Sequence, residues 1–406
     1  MIAVEEAQTR IIESLVTHRP PTELLSIRNA LDRILAEPIV ADLDSPPFDN
    51  SAMDGYAVRA ESLTTATPDC PVRLEIVGTS AAGHPIAPVG LAPFQCYRIM
   101  TGAPVPEDAD AIVQSEWTTL DAAAQNTVWV SRPVTKGLNI RRHGSDIRQG
   151  STVLTPGTRV TPAIIGIMAT LGNERVRVYQ KPRVGIISTG DELIDPGQVP
   201  LPGQIRNSNA FALEAAVRQA GGDPIIIPHA PDDLHAIIER LDQAAEADLI
   251  LSSGGVSVGD FDFVKQALEA HGTQSFWRVN MKPGKPVTFG HYRDTAIFGL
   301  PGNPVSALVT FELFVRPFIR QWQGDPNWAR VTVALPLLED FNEVSDRRHY
   351  VRGQIRTEDG MVGISPNPDQ GSSIQTSWLS ATGLIIIPEN QGPLPKGTRV
   401  PVMLIG

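Results

Sequence analysis

The sequence predicts a multidomain α/β protein in which a doubly wound, mostly parallel sheet forms the central unit. From residue 182 to residue 322, short apolar runs alternate with segments at helical spacing, which is typical of a parallel sheet covered by helices. Residues 51–142 and 327–406 contain strand-like runs with no convincing helix between them. The 406 residues include 34 Gly and 35 Pro, a content that indicates many turns and argues against a helical bundle.

The N-terminal part of the chain is predicted to be largely helical. Apolar residues at helical spacing over residues 4–16, and again over residues 21–35, predict two helices. Residues 150–178 combine a strand, a helix and another strand. We therefore expect residues 1–45 and 146–178 to form a discontinuous N-terminal helical linker domain.

The two flanking units of the central sheet are predicted to be rich in strands. Residues 46–145 are expected to form a β-rich domain, with strands at residues 72–77, 96–100, 111–114 and 127–130. Residues 327–406 are expected to form a C-terminal β-barrel, with strands at residues 331–335, 350–355, 384–387 and 400–405.

Residues 179–326 form the predicted α/β domain. Its strands are expected at residues 184–188, 224–228, 249–252, 276–279, 287–289 and 296–300. Its helices are expected at residues 207–220, 232–247, 261–270 and 307–322, with Asp232 as the N-cap of the second helix. Because ligands bind at the carboxyl ends of the strands in such sheets, the loops that follow these strands are the expected site.

Composition and charge exclude several classes of protein. The formal net charge of -11 argues against a general nucleic-acid binder. Cys70 and Cys96 are the only cysteines and form no CxxC or Cys/His cluster, so a zinc site is not expected. Sparse cysteine usage and an acidic N-terminus without a basic, apolar leader fit a cytoplasmic protein. No apolar run is long enough to span a bilayer, so no membrane partner is expected.

Four loops after the predicted strands carry unusual chemistry, at residues 188–192, 231–233, 252–262 and 300–306. The glycines of the third loop let backbone approach a phosphate closely. Carboxylates from separate loops can hold Mg²⁺ together with phosphate oxygens. Asp232 and Asp233 at a helix start are also typical of capping residues, whereas Glu192 has no such alternative role.

The segment Lys282-Pro283-Gly284-Lys285-Pro286 is the basic element of the α/β domain. Two lysines on a proline-stiffened loop present fixed ammonium groups, which suit a phosphate or another tetrahedral oxyanion. A solvated turn at the edge of a sheet is the alternative. The acid-bearing loops of the same sheet favour the anion site.

Residues 48–58 of the β-rich domain are predicted to form a loop. Asp49, Asn50, Ser51 and Asp54 are typical of an Asx-turn network, and the same groups can bind a ligand. Thr101, which follows the predicted strand at residues 96–100, is expected to face a ligand.

Several common enzyme motifs are missing from the sequence. No G-x-G-x-x-G follows the first strand of the α/β domain, so a Rossmann dinucleotide site is not indicated. A Walker A sequence is also missing, so a P-loop NTPase is not indicated.

Six segments together resemble the MoeA/gephyrin E-domain family, the molybdopterin molybdenumtransferases. They are DNSAMDGYA at 49–57, MTGAP at 100–104, STGDEL at 188–193, SGGVSVG at 253–259, KPGKP at 282–286 and LPGNPVS at 300–306. The resemblance implies a cytoplasmic, elongated homodimer of four-part subunits. It also implies insertion of molybdate into the dithiolene of adenylylated molybdopterin, with Mg²⁺-dependent release of AMP.

The resemblance also implies roles for individual residues. The catalytic residues would be Glu192, Asp232 and Asp262, which hold the metal, with Asp54 and Thr101 supplied by the partner subunit. Lys282, Lys285 and Pro286 would shape the molybdate site, with Arg352 and Ser372 from the last domain. The remaining implied substrate-binding residues are Asp146, Ser188, Thr189, Gly190, Gly254, Gly255, Val256, Ser257, Pro301 and Pro304. Ser145 stands where the family often has Glu, and residues 366–380 fit its pattern only around Gln370-Gly371-Ser372.

Two other functions stay open at this point. A molybdopterin adenylyltransferase uses a similar doubly wound domain, although residues 49–58 and the C-terminal β domain favour the molybdenumtransferase. A non-enzymatic scaffold is the second alternative, because relatives in the family organise receptors. A separate molybdopterin adenylyltransferase is also an expected partner of this chain.

Overall fold

A computed structural model describes residues 1–16, 18–85, 90–254 and 263–405. Within this part of the chain, no helix combines the length and the apolar character that crossing a bilayer requires.

A six-stranded sheet forms the centre of the α/β unit. Its strands lie side by side in the order Asp223–Ile226, Arg183–Ser188, Leu249–Ser253, Thr295–Leu300, Thr288–Tyr292 and Gly272–Trp277. The first four strands are parallel and the last two are antiparallel to their neighbours. The predicted mostly parallel sheet is therefore confirmed.

Helices cover both faces of this sheet, as expected for a doubly wound unit. Along the strand Leu249–Ser253, Leu249 and Leu251 join one hydrophobic core, whereas Ile250 joins another on the opposite face. Alternation arises because successive strand side chains point to opposite faces. The helices are Ser208–Ala220, Leu234–Ala244, Phe263–His271, and the run Pro304–Thr310, Phe311–Val315 and Arg316–Trp322, whose middle part is a π-helix.

The N-terminal helix forms at Val4–Glu13, within its predicted position. Its apolar face packs in the same core as Phe314 and Phe318 of the α/β unit. The second predicted helix, over residues 21–35, is wrong. Thr22–Ser26 is instead a strand, and Ile27–Asn29 is a single 3₁₀ turn.

Tertiary pairing explains this correction. Thr22–Ser26 pairs antiparallel with Arg175–Tyr179. This distant strand supplies the backbone hydrogen bonds that a local helix would otherwise have supplied. Residues around 25–41 and 147–178 share one core, which contains the helix Pro162–Thr170 and the paired strands Ile39–Val40 and Thr152–Leu154. The two pieces of the predicted linker domain thus meet, while the domain boundaries themselves stay a prediction.

The β-rich unit contains all four predicted strands and two that were missed, Gly55–Val58 and Thr118–Leu120. The strands lie in the order Ala111–Gln114, Gly55–Val58, Gln95–Ile99, Val72–Ser80, Thr127–Val130 and Thr118–Leu120. The prediction of a loop over all of residues 48–58 is therefore wrong. Gly55–Val58 is fully buried and pairs on both sides, so the turn-forming residues before it lead into a central strand.

The C-terminal unit is a six-stranded sheet, as the predicted strands indicated, while its full closure into a β-barrel stays a prediction. Its strands are ordered Met281–Lys282, Arg348–Glu358, Gly383–Ile387, Arg399–Leu404 and Thr332–Pro336, with Met361–Pro366 paired to Arg348–Glu358. A bridge between Leu337 and Ile364 draws the two ends of the sheet together. Met281–Lys282 belongs in sequence to the α/β unit, so this sheet joins the predicted basic segment to the C-terminal unit.

Two further pairs of short strands complete the fold. They are Asn50–Ser51 with Ile140–Arg141, and Leu193–Ile194 with Ile205–Arg206.

Replacing Gly55 by Ala should destabilise the β-rich unit. A Cβ atom at this position would lie 1.9 Å from the carbonyl oxygen of Val113 in the neighbouring strand. To remove this clash, the strands Gly55–Val58 and Ala111–Gln114 would have to move apart. We therefore expect a loss of about 1–3 kcal/mol in the free energy of unfolding. Urea denaturation measures this change.

The matched control is Gly166→Ala in the helix Pro162–Thr170. A Cβ atom there would meet no atom within 4 Å. We expect this change to be stabilising by up to about 1 kcal/mol, because Ala is the better helix former. Equal denaturation midpoints for the two variants would contradict the assignment of Gly55 to a tightly paired central strand.

Candidate functional site

A cleft of about 740 Å³ opens at the edge of the α/β sheet where its parallel strands end. Parallel pairing in register brings Ser188, Ser253 and Leu300 to this edge, so the loops after them converge. Eight predicted site residues line the cleft: Thr189, Gly190, Glu192, Asp232, Gly254, Pro286, Pro301 and Pro304.

The floor of the cleft is a close approach between two strand ends. Gly254 has φ of +95°, and a Cβ atom there would lie 2.9 Å from both the carbonyl and the hydroxyl oxygen of Thr189. Glycine is therefore needed at this crossing. Thr189 is 5% exposed, and its hydroxyl has no hydrogen-bond partner among the described residues. Because buried polar groups are normally hydrogen-bonded, this hydroxyl is available to bind a polar atom of a ligand.

Acidic side chains form one side of the cleft. Asp232 and Glu192 line it, and the backbone N–H of Asp232 donates to Asp191 at 3.0 Å. Burial and then the charges of Asp191 and Glu192 raise the pKa of Asp232 above its ordinary value. Clustered carboxylates of this kind favour a bound cation.

The expectation that Asp232 caps the following helix is wrong. The carboxylate of Asp233 accepts the capping hydrogen bond from the N–H of Ala236 at 2.9 Å, and the helix begins at Leu234. Because Asp233 satisfies this helix start, the carboxylate of Asp232 is left for the cleft.

The acid pair suits Mg²⁺ by its chemistry. Among the residues that the structure describes, no three His, Cys, Asp or Glu side chains are grouped closely enough to hold a metal ion. Asp262, the third predicted ligand, lies outside the described residues, as do Gly255, Val256 and Ser257. Mg²⁺ is commonly held by one or two carboxylates, with substrate phosphates and waters completing its shell. Glu192 and Asp232 fit that pattern.

Another part of the cleft lining favours negative charge. The helix Ser208–Ala220 begins there, and Asn207 caps it by accepting from the N–H of Ala210 at 3.2 Å. Asn209 donates to the Ser253 hydroxyl and to the Gly302 carbonyl, both at 2.8 Å, and so ties two loops to the helix start. The partial positive charge of a helix N-terminus attracts anions.

The C-terminal unit supplies one wall of the cleft. The side chain of Gln375 donates to the Ser208 hydroxyl at 2.9 Å. Ser372 accepts from Asn303 through its hydroxyl and from the N–H of Val305 through its carbonyl, each at 3.1 Å. These contacts fix the wall against the starts of both helices.

Arg352 is fully buried behind this wall. Its guanidinium donates to the Ser377 hydroxyl at 2.9 Å and to the carbonyls of Asp369 and Gly371 at 3.2 and 3.3 Å. The predicted residues Arg352 and Ser372 are therefore next to the cleft wall, and neither is part of the cleft lining.

The predicted basic segment divides between the cleft and the C-terminal unit. Pro286 lines the cleft, and Lys285 is its neighbour in the chain. The ammonium of Lys282 instead pairs with Glu343 at 2.9 Å, which holds the pKa of that carboxyl below its ordinary value. His349 lies beside this pair, and burial followed by the Lys282 charge lowers its pKa to about 4.

The predicted residues of the β-rich unit form a separate group. Asp54 accepts hydrogen bonds from the N–H of Thr101 at 2.7 Å and from its hydroxyl at 2.8 Å, and these bonds lower the pKa of Asp54. Asp54 and Thr101 are thus a preformed pair. Neither they nor Asp146 line the cleft of the same chain.

Sequence reasoning missed part of the lining. The lining residues not predicted as site residues are Leu193, Ile205, Arg206, Asn207, Ser208, Asn209, Ser253, Gly302, Asn303, Ser373 and Gln375. The capping-type residues Asn207-Ser208-Asn209 at a helix start were a signal that could have found the anion side. Predicted Ser188 lies just beneath, buried, and donates to Asn207 at 3.3 Å.

Three family models match consecutive parts of the chain. They are described as the MoeA N-terminal region (domain I and II) over residues 2–172, a probable molybdopterin binding domain over residues 185–321, and the MoeA C-terminal region (domain IV) over residues 334–405. The cleft lies mainly in the second of these regions and takes its wall from the third.

Curated relatives match over nearly their whole length. The molybdopterin molybdenumtransferase of Bacillus subtilis is 37% identical over 100% of this chain and 94% of its own. Molybdopterin molybdenumtransferase 2 of Mycobacterium tuberculosis is 41% identical over 99% of both chains. A solved molybdopterin biosynthesis MoeA protein of Pyrococcus horikoshii has a TM-score of 0.84 and 30% identity, with 100% of both chains covered. On the strength of this full-length similarity and the geometry above, the chain belongs to the MoeA family.

Proposed function

We propose that this chain is a molybdopterin molybdenumtransferase, which inserts molybdate into adenylylated molybdopterin and releases AMP in a Mg²⁺-dependent reaction. The observation that carries the proposal is the make-up of the cleft lining. It contains the carboxylates of Glu192 and Asp232 together with the start of the helix Ser208–Ala220, whose N-terminus attracts anions.

A phosphoanhydride fits this combination of groups. Its phosphate oxygens can accept hydrogen bonds from the start of the helix Ser208–Ala220 and from the buried hydroxyl of Thr189. Glu192 and Asp232 would hold Mg²⁺, which when bound neutralises charge that develops on the leaving phosphate. These residues therefore orient the anhydride for cleavage to AMP.

The proline-stiffened loops provide a place for molybdate beside the anhydride. Pro286, Pro301 and Pro304 line the same cleft, and Lys285 adjoins Pro286 in the chain. In this proposal the Lys285 ammonium reaches the cleft beside Pro286, where it would stabilise a tetrahedral dianion. Lys282 is engaged by Glu343, so we assign Lys285 the more direct role.

A homodimer completes the site in this proposal. Asp54 and Thr101 are preformed as a pair, yet they lie outside the cleft of their own chain. In the dimer, Asp54, Thr101 and Asp146 of one copy would then line the cleft of the other copy.

Replacing Glu192 by Gln should reduce AMP release by at least about 100-fold, because one carboxylate of the proposed metal site is lost. The measurement is turnover of adenylylated molybdopterin with molybdate and Mg²⁺. Glu239→Gln, an exposed glutamate on the helix Leu234–Ala244, is the control and should leave turnover unchanged. Unchanged turnover in Glu192→Gln would refute the role given to this carboxylate.

Asp232→Asn should have opposite effects on stability and on metal binding. The folded pKa of Asp232 is raised, so its carboxylate opposes folding above that pKa, and the Asn variant gains roughly 0.2–1 kcal/mol at neutral pH. The gain disappears below about pH 4, where the carboxyl is protonated in both states. Added Mg²⁺ should stabilise the wild type more than the variant in thermal unfolding.

Asp233→Ala, at the neighbouring position, should change stability in the opposite direction from Asp232→Asn. It removes the cap of the following helix and should cost about 1 kcal/mol, with the Mg²⁺ effect retained. Our assignment of the two neighbouring acids would be refuted if Asp233→Ala, and not Asp232→Asn, removed the Mg²⁺ effect.

Mixed dimers test the shared site. Asp54→Asn and Glu192→Gln should each inactivate a homodimer. If the cleft of one copy uses Asp54 of the other, a dimer with one chain of each kind has one intact site and should recover about half of the wild-type activity. Purification through two different affinity tags isolates the mixed dimer, and no recovered activity would mean that each chain builds its site alone.

A further inference from the structure

Arg206 is the cation that the cleft itself presents. Among the described residues that line it, Arg206 alone carries a positive side chain, in a lining that also contains the acids Glu192 and Asp232. We propose that Arg206 binds the phosphate of the adenylyl part of the substrate and makes the cleft selective for a phosphorylated ligand. This inference rests on the proposed function, because it assigns a residue that binds the phosphate of the proposed substrate.

The backbone around Arg206 is fixed relative to the acids. Ile205–Arg206 pairs in parallel with Leu193–Ile194, and the N–H of Ile205 donates to the carbonyl of Glu192 at 2.8 Å. A shift of Arg206 would therefore disturb the segment that carries Glu192. The segments that carry Arg206 and Glu192 therefore form one local unit of the cleft lining.

The guanidinium is partly anchored and partly available. Its Nε donates to the carbonyl of Gln198 at 3.1 Å, which orients the planar group. Arg206 is exposed, and no ion pair engages it in the described part of the chain. Two terminal nitrogens in a fixed plane match the bidentate geometry of a phosphate.

Other donors converge beside Arg206. Asn207, the next residue, caps the helix Ser208–Ala220, whose first N–H groups have no partner within the helix. The hydroxyl of Thr189, buried and without a described partner, lines the same cleft. A guanidinium, a helix start and a hydroxyl together form a donor set for a tetrahedral dianion.

Charge balance gives Arg206 a specific task. The carboxylates of Glu192 and Asp232 line the same cleft and would repel an anion that enters without a cation. A fixed guanidinium in the cleft offsets this repulsion at the phosphate. It contributes nothing to the binding of an uncharged nucleoside.

The test compares phosphorylated and unphosphorylated probes on the full chain. Calorimetry in the presence of Mg²⁺ gives the affinities of AMP, inorganic pyrophosphate and adenosine for the wild type, Arg206→Gln and Arg206→Lys. We expect Arg206→Gln to weaken AMP and pyrophosphate binding by about 10- to 100-fold, with adenosine changed less than about twofold. Arg206→Lys keeps the positive charge but not the bidentate guanidinium, so it should lose less affinity for AMP and pyrophosphate than Arg206→Gln.

Arg218→Gln is the matched control. Arg218 lies on the helix that follows Arg206, is 64% exposed and pairs with Glu214 away from the cleft. It should leave all three affinities unchanged, and equal thermal unfolding of the variants excludes a folding defect.

Three results would overturn the inference. They are unchanged AMP affinity in Arg206→Gln, an equal loss for AMP and adenosine, and no binding of AMP or pyrophosphate to the wild type. A phosphate-selective loss in a protein that shows no molybdate insertion would instead refute the proposed function and leave the phosphate-binding role of Arg206 intact.

Discussion

Parallel pairing of the central strands is the constraint on which the site depends. Register places Ser188 beside Ser253, and Ser253 beside Leu300, so three loops leave the sheet at one edge. Cores on both faces hold these strands in place, with alternate residues of each strand in different cores. A slip of one residue would exchange the faces of every side chain and disperse the loops. Burial of the sheet is therefore what positions the cleft.

The cleft lining combines acidic side chains with a helix start, and the proposed cleavage of a phosphoanhydride depends on this combination. Glu192 and Asp232 follow two neighbouring strands of the sheet, and the start of the helix Ser208–Ala220 belongs to the same lining, so a cation and an anion have neighbouring places. The C-terminal unit closes the arrangement through Gln375 and Ser372, while buried Arg352 fixes the wall that carries them. The site is thus built by two units of the chain, and their relative placement matters to function.

The sequence was sufficient for features with a local signal, and insufficient where a distant contact decides. Alternating strands and helices predicted the α/β unit, and strand-end loops predicted Glu192 and Gly254. Residues 21–35 have helical spacing, yet pairing with Arg175–Tyr179 makes part of them a strand. Gln375 had no signal at all, because its partner Ser208 is 167 residues away. Long-range pairing overrides local propensity in such cases.

Anomalous diffraction from crystals grown with Mn²⁺ and AMP tests the central claim most directly. Mn²⁺ takes the oxygen ligands that Mg²⁺ prefers and can be located by its own scattering. We predict a manganese peak within coordination distance of a Glu192 or Asp232 carboxylate and of an AMP phosphate oxygen, with that phosphate at the start of the helix Ser208–Ala220. Manganese bound away from these acids, or a nucleotide phosphate outside the cleft, would contradict the account.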